Sequence, residues 1–129
     1  MWLRIAALIA LLGSASAATA ADLCWFDSTN EAIYRFKNLK LPKKAGDVVA
    51  LTGQSVTGIS VTALPIYGTV LRDEGTGDLV MGFTRHFQQC LIGAVLDPET
   101  LNGTVSYDCN LDGANDGSFA LAFAPGCQF

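Results

Sequence analysis

Ile66-Tyr67-Gly68-Thr69-Val70-Leu71-Arg72, then Asp73-Glu74-Gly75-Thr76-Gly77-Asp78, then Leu79-Val80-Met81-Gly82-Phe83-Thr84-Arg85-His86-Phe87: residues 66–87 read as strand, turn and strand. Branched and aromatic side chains fill the two flanks, where they fit a pleated, half-buried surface. The middle is polar and carries two glycines, which supply the positive φ that tight turns require.

The same pattern continues in both directions. Towards the C-terminus, strands are expected near Cys90–Leu96, Gly103–Cys109 and Ser118–Phe123. Asp97-Pro98-Glu99-Thr100 places proline at the second turn position, and Asn102-Gly103 offers a tighter alternative. Towards the N-terminus, strands are expected near Val48–Thr52 and Val56–Leu64. Pro65 belongs at a bend or edge, because it has no N–H to give to a ladder. Residues 28–37 carry two signals. Ser28-Thr29-Asn30-Glu31 has the spacing of a helix capping box, whereas Ala32 to Lys37 alternates, with Tyr34 and Phe36 on one side. The β-rich surroundings favour a strand.

These strands predict an all-β domain, a small antiparallel meander barrel of seven or eight strands, with a two-sheet sandwich as the alternative. Short connections favour the barrel, because a Greek-key sandwich needs a long crossover. Gly68, Gly82, Gly93 and Gly103 would relieve crowding where a small barrel bends.

Residues 1–21 have the parts of a cleavable export signal: Arg4, the apolar run Ile5 to Leu12, and small residues in which Ala18-Thr19-Ala20 fits the cleavage rule. The apolar run is about half the roughly 20 residues a membrane-spanning helix needs. The expectation is a single exported domain, residues 22–129, periplasmic or extracellular and not membrane-spanning. Its four cysteines, Cys24, Cys90, Cys109 and Cys127, then read as two disulfides. If Asp97–Thr100 closes a hairpin, Cys90 and Cys109 fall close enough to pair provided that a bulge intervenes. Cys24 and Cys127 would then join the two chain ends, as the first and last strands of a barrel allow.

Loss of Arg4 on export moves the net charge from −4 to −5. Duplex nucleic acid is therefore a poor partner, since phosphate binding needs a basic face. The basic cluster Arg35, Lys37, Lys40, Lys43 and Lys44 reads as a solvated face.

One loop carries recognisable chemistry. From Asp108 to Gly117, oxygen-bearing residues alternate and a glycine follows. The spacing resembles the calcium loops of EF-hands, dockerins and some β-propeller hairpins. That resemblance implies side-chain oxygens from Asp108, Asn110 and Asp112, a carbonyl from Ala114 and a direct or water-bridged contact from Asp116. Phe119 stands where an EF-hand has its bidentate Glu, so the ion would be calcium held weakly. The competing reading is an ordinary hairpin loop, which uses the same residues.

The remaining candidates are less specific. His86, the only histidine, has no nucleophile motif beside it. Asp73, Glu74 and Asp78 could pair as carboxylates for a small hydrolase, but they sit in a glycine-rich turn. Ile59, Val61, Phe83, Phe119 and Phe123 read as core unless the barrel encloses a cavity. The functional expectation is a binding or interaction module for an unknown small apolar ligand or a macromolecule. The alternatives are a structural envelope protein without ligand and a hydrolase.

Overall fold

The structure, a computed structural model, describes residues 21–57, 63–85, 90–113 and 115–125. The export segment before residue 21, together with Ile59, Val61, His86, Ala114 and Cys127, lies outside the described residues.

Eight strands follow in chain order: β1 Ala21–Asp27, β2 Ala32–Leu39, β3 Val48–Thr57, β4 Leu64–Arg72, β5 Leu79–Arg85, β6 Leu91–Leu96, β7 Gly103–Asp108 and β8 Gly117–Phe123. Each pairs antiparallel with the next, and β1 pairs with β8, so the sheet is a closed meander barrel. The seam is short, joining Trp25 to Phe123 and Phe26 to Ala122. The Ala124 amide also donates to the Cys24 carbonyl at 2.9 Å.

The strand boundaries depart from the sequence reading in instructive places. Ala21–Asp27 was not among the expected strands, because the contiguous run Leu23-Cys24-Trp25-Phe26 lacks a clear alternation. Val48–Thr52 and Val56–Leu64 are not two strands. Residues 48–57 form one strand, held through Gly53 and Gln54 by pairing with both β2 and β4. Pro65 lies within β4, second in the strand, and pairs with Gln54 on β3. The 28–31 segment is a turn, capped by Asp27 rather than by Ser28: the Thr29 and Asn30 amides donate to Asp27 Oδ1 at 3.0 and 3.2 Å.

The connection between β6 and β7 spans Asp97 to Asn102 rather than four residues. The Leu101 amide donates to the Asp97 carbonyl at 2.8 Å, and the Asp97 amide donates to Asn102 at 2.8 Å. This sets Leu91 opposite Asp108 and Leu96 opposite Gly103 with no bulge. Cys90 and Cys109, one step beyond, are therefore directly across from each other and form a disulfide. Cys24 is also disulfide-bonded, and no described cysteine is free. Its expected partner, Cys127, is outside the described residues.

The two ends of the barrel differ. Connections 40–47, 73–78 and 97–102 share one end, whose interior is apolar. Trp25, Leu39, Leu79 and Leu96 are buried there or next to it, with Leu41, Val49, Leu101 and Phe123 packed against them. The Trp25 indole N–H donates to the Leu101 carbonyl at 2.7 Å, tying that loop across the end. The middle is filled by Phe36, Leu51, Val70, Met81, Phe83, Ile92 and Val105, all at most 2% exposed. Edge-to-face contacts link Trp25 to Phe36 at 5.9 Å and Phe36 to Phe83 at 5.2 Å. Each such side chain contributes about 1.5–3 kcal/mol on burial, so the apolar interior stabilises the barrel. No described helix is long and apolar enough to cross a membrane.

Candidate functional site

At the opposite end, the inward positions turn polar. Alternation along β1 places Asp27 two residues beyond Trp25, and along β5 it places Arg85 two beyond Phe83. Tyr34 on β2, Ser55 and Thr57 on β3, and Tyr107 on β7 add polar inward residues, beside the buried apolar Ala32, Ile66 and Ile92. A depression of about 390 Å³ opens here. It is lined by Asn30, Tyr34, Thr57, Arg85, Tyr107 and Asp116, together with Ala32, Cys109 and Phe119. The Cys90–Cys109 bond fixes one side, because it clamps the ends of β6 and β7.

Asp27 organises this mouth. Its carboxylate is fully buried and accepts four hydrogen bonds. Two come from the Thr29 and Asn30 amides, one from Asn30 Nδ2 at 2.7 Å, and one from the Tyr107 hydroxyl at 2.8 Å. A buried carboxylate is tolerated only when donors satisfy it, and here four do. The Tyr107 hydroxyl oxygen then lies 2.6 Å from that of Tyr34. Tyr107 spends its one proton on Asp27, so Tyr34 must donate to Tyr107. Burial, reinforced by the hydrogen bond from Tyr34, pushes the Tyr107 phenol far above its ordinary range. Burial raises Tyr34 too, against a lowering from Tyr107 and Arg85.

Arg85 has the opposite character. Its Nε is buried and finds no hydrogen-bond partner, and no ion pair to it is found among the described residues. Leaving a buried charged donor unpaired costs about 1–3 kcal/mol or more. The Ser55 hydroxyl is similarly buried and without a partner.

The 108–116 loop closes the rim, and its carboxylates turn back onto the loop itself. Asp108 accepts from the amides of Asp112 at 3.3 Å and Gly113 at 2.9 Å. Asp116 Oδ2 accepts from the Cys109 amide at 2.8 Å, while the Asp116 amide donates to the Tyr107 carbonyl. Asn110 is exposed. No group of three or more metal-ligating acids, histidines or cysteines is found among the described residues. Asp108 and Asp116 thus cap backbone amides of the loop, while Ala114, the expected carbonyl ligand, lies outside the described residues.

The other sequence candidates lie elsewhere. Asp73, Glu74 and Asp78 sit in the turn at the apolar end. Asp73 accepts from the amides of Gly75 and Thr76 and from the Thr76 hydroxyl. Those bonds, the Thr76 amide first, hold its carboxyl below the usual range, the reverse of what a general acid needs. Lys40, Lys43 and Lys44 border a second depression at that end, with Asp47 among them. Arg35 instead pairs with Asp22 at 2.8 Å on the surface. Phe83 is core as expected, whereas Phe119 lines the mouth.

Sequence reasoning missed Asp27, Asn30, Thr57, Arg85 and Tyr107. A signal for Arg85 was present, since a charge on the same face as Met81 and Phe83 breaks the apolar alternation. For Tyr107 and Asp27, 80 positions apart, nothing local announced the contact. Comparison of the chain with family models, curated proteins and solved structures finds no match.

Proposed function

We propose that this chain is a small exported binding module that holds its ligand at the polar mouth of the barrel. The observation that carries this reading is Arg85, a guanidinium on an inward strand position with a buried Nε that has no partner. A fold selected for stability alone would satisfy or remove such a group. Export is supported by the Cys90–Cys109 bond and by the bonded Cys24, because disulfides persist in oxidising compartments.

Side chains fill the barrel below Tyr34 and Phe83, so the ligand sits at the mouth and not in an internal apolar cavity. The geometry favours binding over hydrolysis, since Asp73, Glu74 and Asp78 stand at the far end from the mouth. The 108–116 loop serves in this reading as a wall of the site, held by its own carboxylates. Native mass spectrometry of the protein purified from its own source tests the proposal. A retained small-molecule mass that disappears in Arg85→Gln is expected. A bare mass for the wild type, with no change of any mouth resonance on fragment screening by NMR, would overturn it.

A further inference from the structure

Building on the mouth as a binding site, we propose that its ligand is a small carboxylic acid with a hydrogen-bond donor beside the carboxylate, an ammonium group being preferred over a hydroxyl. The direction of each hydrogen bond in the mouth leads to this class. Asp27 takes the Tyr107 proton and Tyr107 takes the Tyr34 proton. The Tyr34 hydroxyl, nearly fully buried at the border of the depression, therefore has only lone pairs left to offer and calls for a donor on the ligand. Arg85 presents only N–H groups and calls for an acceptor, best a planar oxyanion that its fork can grip at two points.

Charge decides among oxyanions. One guanidinium lines the depression, and the Asp116 carboxylate lines it as well. A phosphate dianion would meet one cation and two anions, Asp116 and the buried Asp27, so it is poorly matched. A carboxylate matches Arg85 one to one. Asp116 Oδ2 is engaged by the Cys109 amide, and the carboxylate as a whole remains exposed and negative, which favours an ammonium group nearby. The Arg85 guanidinium and the fixed acceptor at Tyr34, which line the same depression, are thus complementary parts of one site.

Four three-carbon probes of nearly equal shape separate the components: alanine, lactate, propionate and lactamide, with inorganic phosphate as a fifth. Each would be titrated into isotopically labelled protein while the amide resonances of β2, β5 and β7 are followed. Small ligands of this size bind weakly, so the reading is rank order. Alanine should bind most tightly, lactate next and propionate at least tenfold more weakly than alanine. Lactamide should shift nothing. Arg85→Gln should abolish the shifts for all carboxylates, while Asp116→Asn should lower alanine affinity towards that of lactate. Arg85→Gln should also melt no lower than the wild type, because it removes an unsatisfied buried donor. That outcome separates a ligand-binding role from a structural one.

Lactamide binding at the mouth as tightly as lactate would overturn the carboxylate assignment and leave the binding site standing. Phosphate displacing alanine would likewise overturn it in favour of a different anion. Silence of the mouth to every probe would overturn both.

Discussion

At the scale of single residues, Asp27 and Arg85 show two treatments of buried charge in one small space. Asp27 is surrounded by four donors, and its charge is distributed into the 28–31 turn and the two tyrosines. Removing one donor should therefore be felt. Tyr107→Phe keeps the ring against Phe119, 5.9 Å away, and deletes only the hydroxyl. Two bonds are lost and Asp27 keeps three donors, so a destabilisation of about 1–3 kcal/mol is expected. Urea denaturation would measure it. A cost below a few tenths of a kcal/mol would mean that the hydroxyl chain does not hold the mouth. Tyr34→Phe should cost less, because Tyr34 donates to an oxygen and not to a carboxylate.

At the scale of elements, close approach between neighbouring strands explains two of the four strand glycines named from sequence. A Cβ on Gly68 would run into the Gly82 carbonyl and the Phe83 backbone, and one on Gly103 into the Val95 carbonyl. Gly53, not anticipated, is crowded in the same way by Arg35. Gly82 by contrast faces open space. Gly68→Ala should thus cost about 1–3 kcal/mol as overpacking, while Gly82→Ala should be neutral or slightly stabilising. Equal melting temperatures for the two variants would contradict the packing described here. The 108–116 loop yields a second expectation at this scale. Its amides are already capped by Asp108 and Asp116, so millimolar calcium should leave the melting temperature unchanged. A rise of several degrees would show that Asp108, Asn110, Asp112 and Asp116 gather around an ion after all.

At the scale of the whole molecule, the barrel should fail at high pH. Folding raises the phenols of Tyr34 and Tyr107 above their ordinary value of 10.0, chiefly by burial. Above about pH 10 the unfolded chain releases protons that the folded chain retains, so stability falls as pH rises. Below that value the contribution of these two groups is complete. Phenolate absorbance followed with circular dichroism should show two of the three tyrosines ionising only as the fold is lost. Ionisation of all three with the β-sheet signal intact would contradict their burial.

Much of this architecture was legible in the chain. Alternation and turn chemistry in residues 66–123 dictate an antiparallel all-β meander, since a period of two and short polar connections allow little else. Hairpin arithmetic around Asp97 also brought Cys90 and Cys109 close, although the longer Asp97–Asn102 connection, and not a bulge, sets them opposite. Less could be read where contacts join distant parts of the chain. Trp25 finds Leu101 and Phe123, Asp27 finds Tyr107, and β1 closes on β8 only when the barrel forms. Whether Asp108 and Asp116 grip an ion or their own amides is likewise set by a loop path that spacing does not encode. The sequence by itself determined strands, turns and a covalent staple, all of them properties of neighbours along the chain. The tertiary structure alone decided that the polar inward residues gather at one end, because only barrel closure brings Asp27, Tyr34, Arg85 and Tyr107 into one small space.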